Sequence, residues 1–236
     1  MANPKNTIST GRGWLDDVLR GGLPSAGLSL VYGEASTGKT TLAMHCAIEI
    51  ARDDAKTLFI DSDDSFSLER LFQMIGNQDH HIADNIMLVS PVSFHEQTQL
   101  IENLENYVTR RLRLIVVDSI TSLYSASLAS SETTFLQNRQ LNRQFAYLAE
   151  LAPRKGLAIL VTGHVHAKPA SESRVELVSR RLLTHWPNVI LRLSRTQQSG
   201  LNVAFLEKYF NSEAPPGTCF YRISSEGLSK VEIEGQ

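Results

Sequence analysis

Short runs of branched and aromatic residues alternate with stretches of helical periodicity along most of this chain. The runs fall at residues 28–32, 57–61, 86–89, 114–118, 158–162, 189–193, 203–207 and 218–224. The earlier ones are almost wholly apolar, as parallel strands covered on both faces require. Between them, residues 41–50 read as a helix. Leu141, Phe145, Leu148 and Ala152 recur at helical spacing, and Gly156 ends that second helix. Leu100, Leu104 and Val108 mark an amphipathic helix over 96–109. The alternation predicts an α/β fold: a mostly parallel, doubly wound sheet with helices on both faces and its ligand site at the carboxyl ends of the strands. The last strands lack long helices between them, which predicts antiparallel C-terminal strands. Residues 125–134, rich in Ser and Thr, and 167–181, polar and partly basic, read as loops.

Where the first strand meets the first helix stands Gly33-Glu34-Ala35-Ser36-Thr37-Gly38-Lys39-Thr40, the full G-x-x-x-x-G-K-[ST] phosphate-binding pattern, with Thr41 following at the helix start. The glycines let backbone N–H groups curl around phosphates, and the helix N-terminus adds its positive dipole end. Lys39 is placed to reach the β- and γ-phosphates of ATP, and the Thr40 hydroxyl to ligate Mg²⁺.

The 236 residues, 42% hydrophobic and 20% charged, suit one large soluble unit. A net charge of −2 means that DNA binding cannot rest on global charge and needs a local basic patch. Cys46 and Cys219 stand far apart with no C-x-x-C spacing, which fits a reducing cytosol. No apolar run approaches membrane-spanning length and the N-terminus lacks a signal-like core. A cytoplasmic protein without membrane association is expected.

Two strands end in acids. The run 114–118 finishes in Asp118, as a P-loop nucleotidase requires of the carboxylate near its magnesium ion. The run 57–61 leads into Asp61-Ser62-Asp63-Asp64, where Asp63 or Asp64 could orient an attacking water. Asp reaches one methylene less far than Glu, and small misplacements cost rate. His164 and His166 share a strand face, yet no cysteine or further histidine lies at ligand spacing, so a structural or sensing role is preferred to a metal site.

Taken in order, Ile8-Ser9-Thr10-Gly11, Leu15-Asp16, Gly21-Gly22-Leu23-Pro24, Asp61-Ser62-Asp63, Glu69-Arg70-Leu71, Asp118-Ser119-Ile120-Thr121, Leu141-Asn142-Arg143-Gln144, His164-Val165-His166 and the C-terminal Arg222-Ile223-Ser224 carry a resemblance. The chain resembles the RecA-type recombinases and, within them, the archaeal RadB family of short RadA paralogues. The resemblance spans nearly the whole sequence and implies a single RecA-like ATP-binding core over residues 1–236. It implies that Lys39 and Thr40 hold phosphate and Mg²⁺ and that Asp118 acts through the metal's water shell. Asp63 falls where relatives carry the water-positioning glutamate. Arg70 falls where an arginine stacks on adenine, a role suited to a planar guanidinium. His164 stands where a glutamine senses the γ-phosphate.

The loops 125–134 and 167–181 occupy the DNA-binding loop positions of that family. The second carries Lys168, Arg174, Arg180 and Arg181 against Glu172 and Glu176, with no interleaved aromatic. The core motifs begin by residue 8, and neither an N-terminal helical DNA-binding domain nor a Phe-x-x-Ala polymerisation linker is recognised, so autonomous filament formation is not expected. The implied function is an ATP-binding, DNA-binding accessory of homologous recombination and repair with weak hydrolysis. Its implied partners are a RadA-type recombinase, single-stranded or branched DNA, and a junction-resolving nuclease. The competing reading is a KaiC-like or motor-type ATPase, which the tandem Asp63-Asp64 would echo. A metabolic P-loop kinase would need an arginine clamp, for which Arg110-Arg111-Leu112-Arg113, read as a solvated helix end, is the one candidate.

Overall fold

The computed structural model describes residues 6–76, 80–128, 131–164, 183–210 and 217–232. A small hairpin, β1 (Thr7–Ile8) with β2 (Leu23–Pro24), encloses α1 (Gly13–Val18). The main sheet is built from β3 (Gly27–Gly33), β4 (Lys56–Asp61), β5 (Ile86–Val89), β6 (Leu112–Asp118), β7 (Ala158–His164), β8 (Val189–Arg195), β9 (Asn202–Tyr209), β10 (Thr218–Ser224) and β11 (Gly227–Val231). Its order is β11-β10-β9-β8-β3-β7-β6-β4-β5. The six strands from β8 to β5 pair in parallel, and β9, β10 and β11 extend the sheet antiparallel. The expected fold class is what the chain adopts.

Alternate side chains of the central strands go to opposite faces, as the two-residue period demands. Val31, Phe59, Leu114 and Val116 join α1 and α2 (Lys39–Arg52) in one core. Leu30, Leu58, Ile115 and Val117 join α5 (Phe94–Glu102) and α7 (Ser131–Lys155) in the other. That is why the central runs are almost wholly apolar on both faces. Across α5 and α7, buried Gln97 donates to Gln144 Oε1 at 2.9 Å and to the Ile120 carbonyl at 3.2 Å, and Gln144 donates to the Thr98 hydroxyl at 2.7 Å. These hydrogen bonds between the two glutamines and their neighbours tie the two helices together behind the end of β6.

Three local expectations are corrected. The helix over 96–109 stops at Glu102, because Asn103 folds its side-chain amide onto the Gln99 carbonyl (2.8 Å) and the chain tightens into a 3-10 turn over Leu104–Tyr107. Its buried side is Phe94, Gln97, Thr98 and Ile101. The loop over 125–134 gives way to α6 (Ser122–Ala126) and the start of α7 at Ser131, so Ser-rich composition here marks helix ends. Arg110–Arg113 is no helix end: β6 begins at Leu112, and Arg111 donates to the Asp54 carbonyl at 2.6 Å. Three short strands, β1, β2 and β11, escaped the hydrophobic pattern.

Candidate nucleotide site

Parallel register brings the functional ends of four strands level. Gly33 pairs with His164 between β3 and β7, and Asp61 pairs with Asp118 between β4 and β6. The phosphate loop leaves β3 between β7 and β8 and turns into α2 through Gly38, whose φ of 89° is left-handed and suits glycine. Lys39 is buried, and its ammonium donates to the carbonyls of Gly33 at 3.1 Å and Glu34 at 2.8 Å. Burial pulls the Lys39 pKa down, while Asp118 and Asp63 pull it back up.

Asp118 is buried and accepts from the Thr162 hydroxyl and, at 3.4 Å, from the Ser65 hydroxyl. Ser65 in turn lies 3.4 Å from the Thr40 hydroxyl. Burial pushes the Asp118 carboxyl up, against the hydrogen bonds from Thr162 and Thr40. A cation between Thr40 and Asp118 is the natural compensation for such a carboxylate. Two hydroxyls and a carboxylate are hard-oxygen donors suited to Mg²⁺, and the Lys39 ammonium beside them is a cation suited to phosphate, so the set fits a Mg²⁺-bound triphosphate.

The three acids at and after the end of β4 separate by role. Asp61 is buried and accepts backbone N–H groups of Asp63 (3.3 Å), Ser65 (3.1 Å) and Phe66 (3.0 Å), so it shapes the turn. Asp64 is exposed at a φ of 52°. Asp63 faces the site, and its Oδ2 lies 2.5 Å from His164 Nε2. That hydrogen bond, with one from Ser122, holds the Asp63 carboxyl below its ordinary range. An ionised carboxylate only accepts, so the imidazole donates through Nε2–H.

A sequence profile described as Rad51 matches residues 5–230. The chain is 34% identical over 228 residues to the DNA repair and recombination protein RadB of Thermococcus onnurineus (strain NA1), covering 95% of this chain and 97% of that one. To the protein of the same name from Thermococcus kodakarensis it is 33% identical, covering 95% and 100%. The chain belongs to the Rad51 family, in its RadB branch. A solved structure described as the crystal structure of the RadB recombinase superposes with a TM-score of 0.76 at 30% identity, over 96% of this chain and 100% of that one.

In this RadB-branch chain Arg70 sits on α3 (Leu68–Ile75), where Ser67 caps the helix by accepting the Arg70 N–H at 3.2 Å. Its guanidinium donates to the carbonyls of Ser224 and Ser225 (2.7 Å to the latter), which ties α3 to the β10–β11 turn. An edge bonded in this way leaves the guanidinium plane free for a ring. Lys208 donates to the Thr184 and His185 carbonyls at 3.4 and 3.3 Å. Trp186 is half-buried and donates through Nε1–H to Asn142 at 2.8 Å, while His185 packs edge-on against it and is exposed. Lys168, Arg174, Arg180 and Arg181, with His166, lie outside the described residues.

Sequence reasoning missed three residues that support the candidate site. Arg195 at the end of β8 donates to the Ala35 carbonyl at 2.7 Å, and Tyr221 on β10 to the Thr37 carbonyl at 2.6 Å. His45 on α2 receives the Leu228 N–H at 3.1 Å and Arg12 Nε–H at 3.2 Å through one ring nitrogen. Each partner lies far along the chain, so no local pattern could have shown them.

Proposed function

We propose that this chain is an ATP- and Mg²⁺-binding, DNA-associated accessory of homologous recombination and repair that hydrolyses ATP weakly. The observation that carries the reading is the convergence of Lys39, Thr40 and Asp118 at the carboxyl ends of the central strands, while the neighbouring Asp63 is held by His164. Lys39 would meet the β- and γ-phosphates, and Thr40 and Asp118 would hold the metal, Asp118 through water. Mg²⁺ when bound neutralises charge on the phosphate oxygens. Asp63 orients water poorly when its oxygen is engaged by an imidazole, which argues for a binding switch above a motor. Arg70 would present its face to adenine.

The curated relatives cited above are named as DNA repair and recombination proteins, which supports a place beside a RadA-type recombinase. Lys168, Arg174, Arg180 and Arg181 would contact DNA phosphates, and ATP occupancy would reach that segment through His164, which immediately precedes it. Branched-DNA processing by a junction-resolving nuclease is a second process such a protein would influence. No described helix is long and apolar enough to cross a membrane, and a cytoplasmic role is the natural setting.

A strand-exchange assay with a purified RadA-type recombinase, ATP and single-stranded DNA tests this. The chain alone should give no exchange and should change the recombinase's yield when added. Robust exchange by this chain alone would overturn the accessory reading.

A further inference from the structure

The phosphate loop is gripped by its carbonyls. Lys39 takes those of Gly33 and Glu34, Arg195 that of Ala35, and Tyr221 that of Thr37. Tyr221 comes from the antiparallel extension of the sheet, 184 positions from Thr37 in the chain. Its side chain is fully buried and stacks on Trp14 with ring centroids 5.9 Å apart, so the hydroxyl has one place to go. A buried phenol needs a partner, and the Thr37 carbonyl is it. The β10–β11 hairpin also presses on the next residue: a Cβ built on Gly38 would lie 2.9 Å from Leu228 Cδ2 and 3.2 Å from Ile223 Cδ1.

The Thr37–Gly38 peptide is trans, and a trans peptide points its C=O and N–H in opposite directions. Holding the Thr37 C=O toward β10 therefore turns the Gly38 N–H away from the hairpin and into the loop. That N–H stands at the start of α2, where helix donors have no partner within the helix. We propose that Tyr221 is a positioning residue of the nucleotide site: through the Thr37 carbonyl it presents the Gly38 N–H to the bound phosphates, and this makes the C-terminal hairpin a working part of the site. The inference rests on the reading of residues 33–40 as a phosphate loop.

The test combines calorimetry of ATP–Mg²⁺ binding with amide spectra of ¹⁵N-glycine-labelled protein, for wild type, Tyr221→Phe and Lys39→Ala. Tyr221→Phe keeps the ring and removes one neutral hydrogen bond, so ATP should bind about fivefold more weakly. ATP should move the Gly38 amide proton downfield in the wild type and less in Tyr221→Phe. A merely structural role would lower the melting temperature but leave the affinity and the Gly38 displacement of the folded protein unchanged, and that result would overturn the proposal. A Gly38 resonance that ATP does not move in the wild type would overturn it without any variant. ATP binding that is absent from the wild type, or unaffected by Lys39→Ala, would instead overturn the phosphate-loop reading itself.

Discussion

His164 Nε2 on β7 and Asp63 Oδ2, just past the end of β4, meet at 2.5 Å across the end of β6, which lies between those two strands in the sheet. The contact depends on both side chains. Asp63 is short enough to leave room for an imidazole, and the imidazole has a donor that an ionised carboxylate wants. In the proposed reading, this pair would stand where a water is aligned for attack on a γ-phosphate.

We expect Asp63→Glu combined with His164→Gln to raise ATP turnover, because a longer carboxylate freed from its imidazole can reach the water. A gain on the order of tenfold fits the rate cost of misplacing a catalytic group by a fraction of an ångström. Asp63→Glu alone should gain less, since His164 would still compete for it. Steady-state phosphate release measures both. Equal turnover in wild type and double variant would remove Asp63 from the water-positioning role. The pair also has a stability signature. Asp63 is depressed in the folded state, so its contribution is present above the unfolded carboxylate range and is lost as pH falls through the lowered folded value.

The centre of the main sheet was legible from sequence because its strands are buried on both faces and read as almost wholly apolar runs. The eight expected strands all form, each at its expected place. β11 escaped because Gly227-Leu228-Ser229-Lys230-Val231 alternates weakly and is half exposed, and it forms because β10 offers it an antiparallel edge. The phosphate loop could be read as a local motif, since its chemistry needs eight consecutive residues. The Asp63–His164 contact and the Tyr221–Thr37 contact could not, because they depend on sheet order, which a one-dimensional pattern leaves open. Asp63 and Asp64 were indistinguishable as letters. The turn built on Asp61 turns one toward the site and the other outward.

DNA binding should be salt-sensitive and nearly independent of sequence, because a site carried by Lys and Arg side chains releases counterions from phosphates. Arg180→Ala with Arg181→Ala should weaken binding to single-stranded DNA and reduce the slope of log K against log salt by about 1.4. Fluorescence anisotropy over a salt series reads this directly. An unchanged slope would place the DNA contacts elsewhere on the protein.

His45 gives the fold its own acid sensitivity. Its ring lies buried on α2, where Nε2 accepts from both the Leu228 N–H and Arg12 Nε–H, so the neutral ring is required. Gly227 makes the approach possible: a Cβ there would lie 2.0 Å from that nitrogen. Burial, reinforced by Arg12, Arg70 and Arg52, lowers the His45 pKa from 6.5 to about 3. In the unfolded chain the imidazole takes up a proton near its ordinary value, whereas in the folded protein it does not. Between those two values the unfolded state binds more protons, so stability falls as pH drops, by up to about 1.4 kcal/mol per pH unit from this one group. His45→Gln can still accept the Leu228 N–H through its amide oxygen and does not titrate. We expect the variant to be less stable than wild type at neutral pH, where the Arg12 contact is weakened, and to lose less stability between pH 6.5 and 4.5. Urea denaturation across that range decides the matter. Parallel pH dependences for the two proteins would show that His45 protonation does not govern acid unfolding, and would point instead to carboxylates held below their ordinary range, such as Asp63.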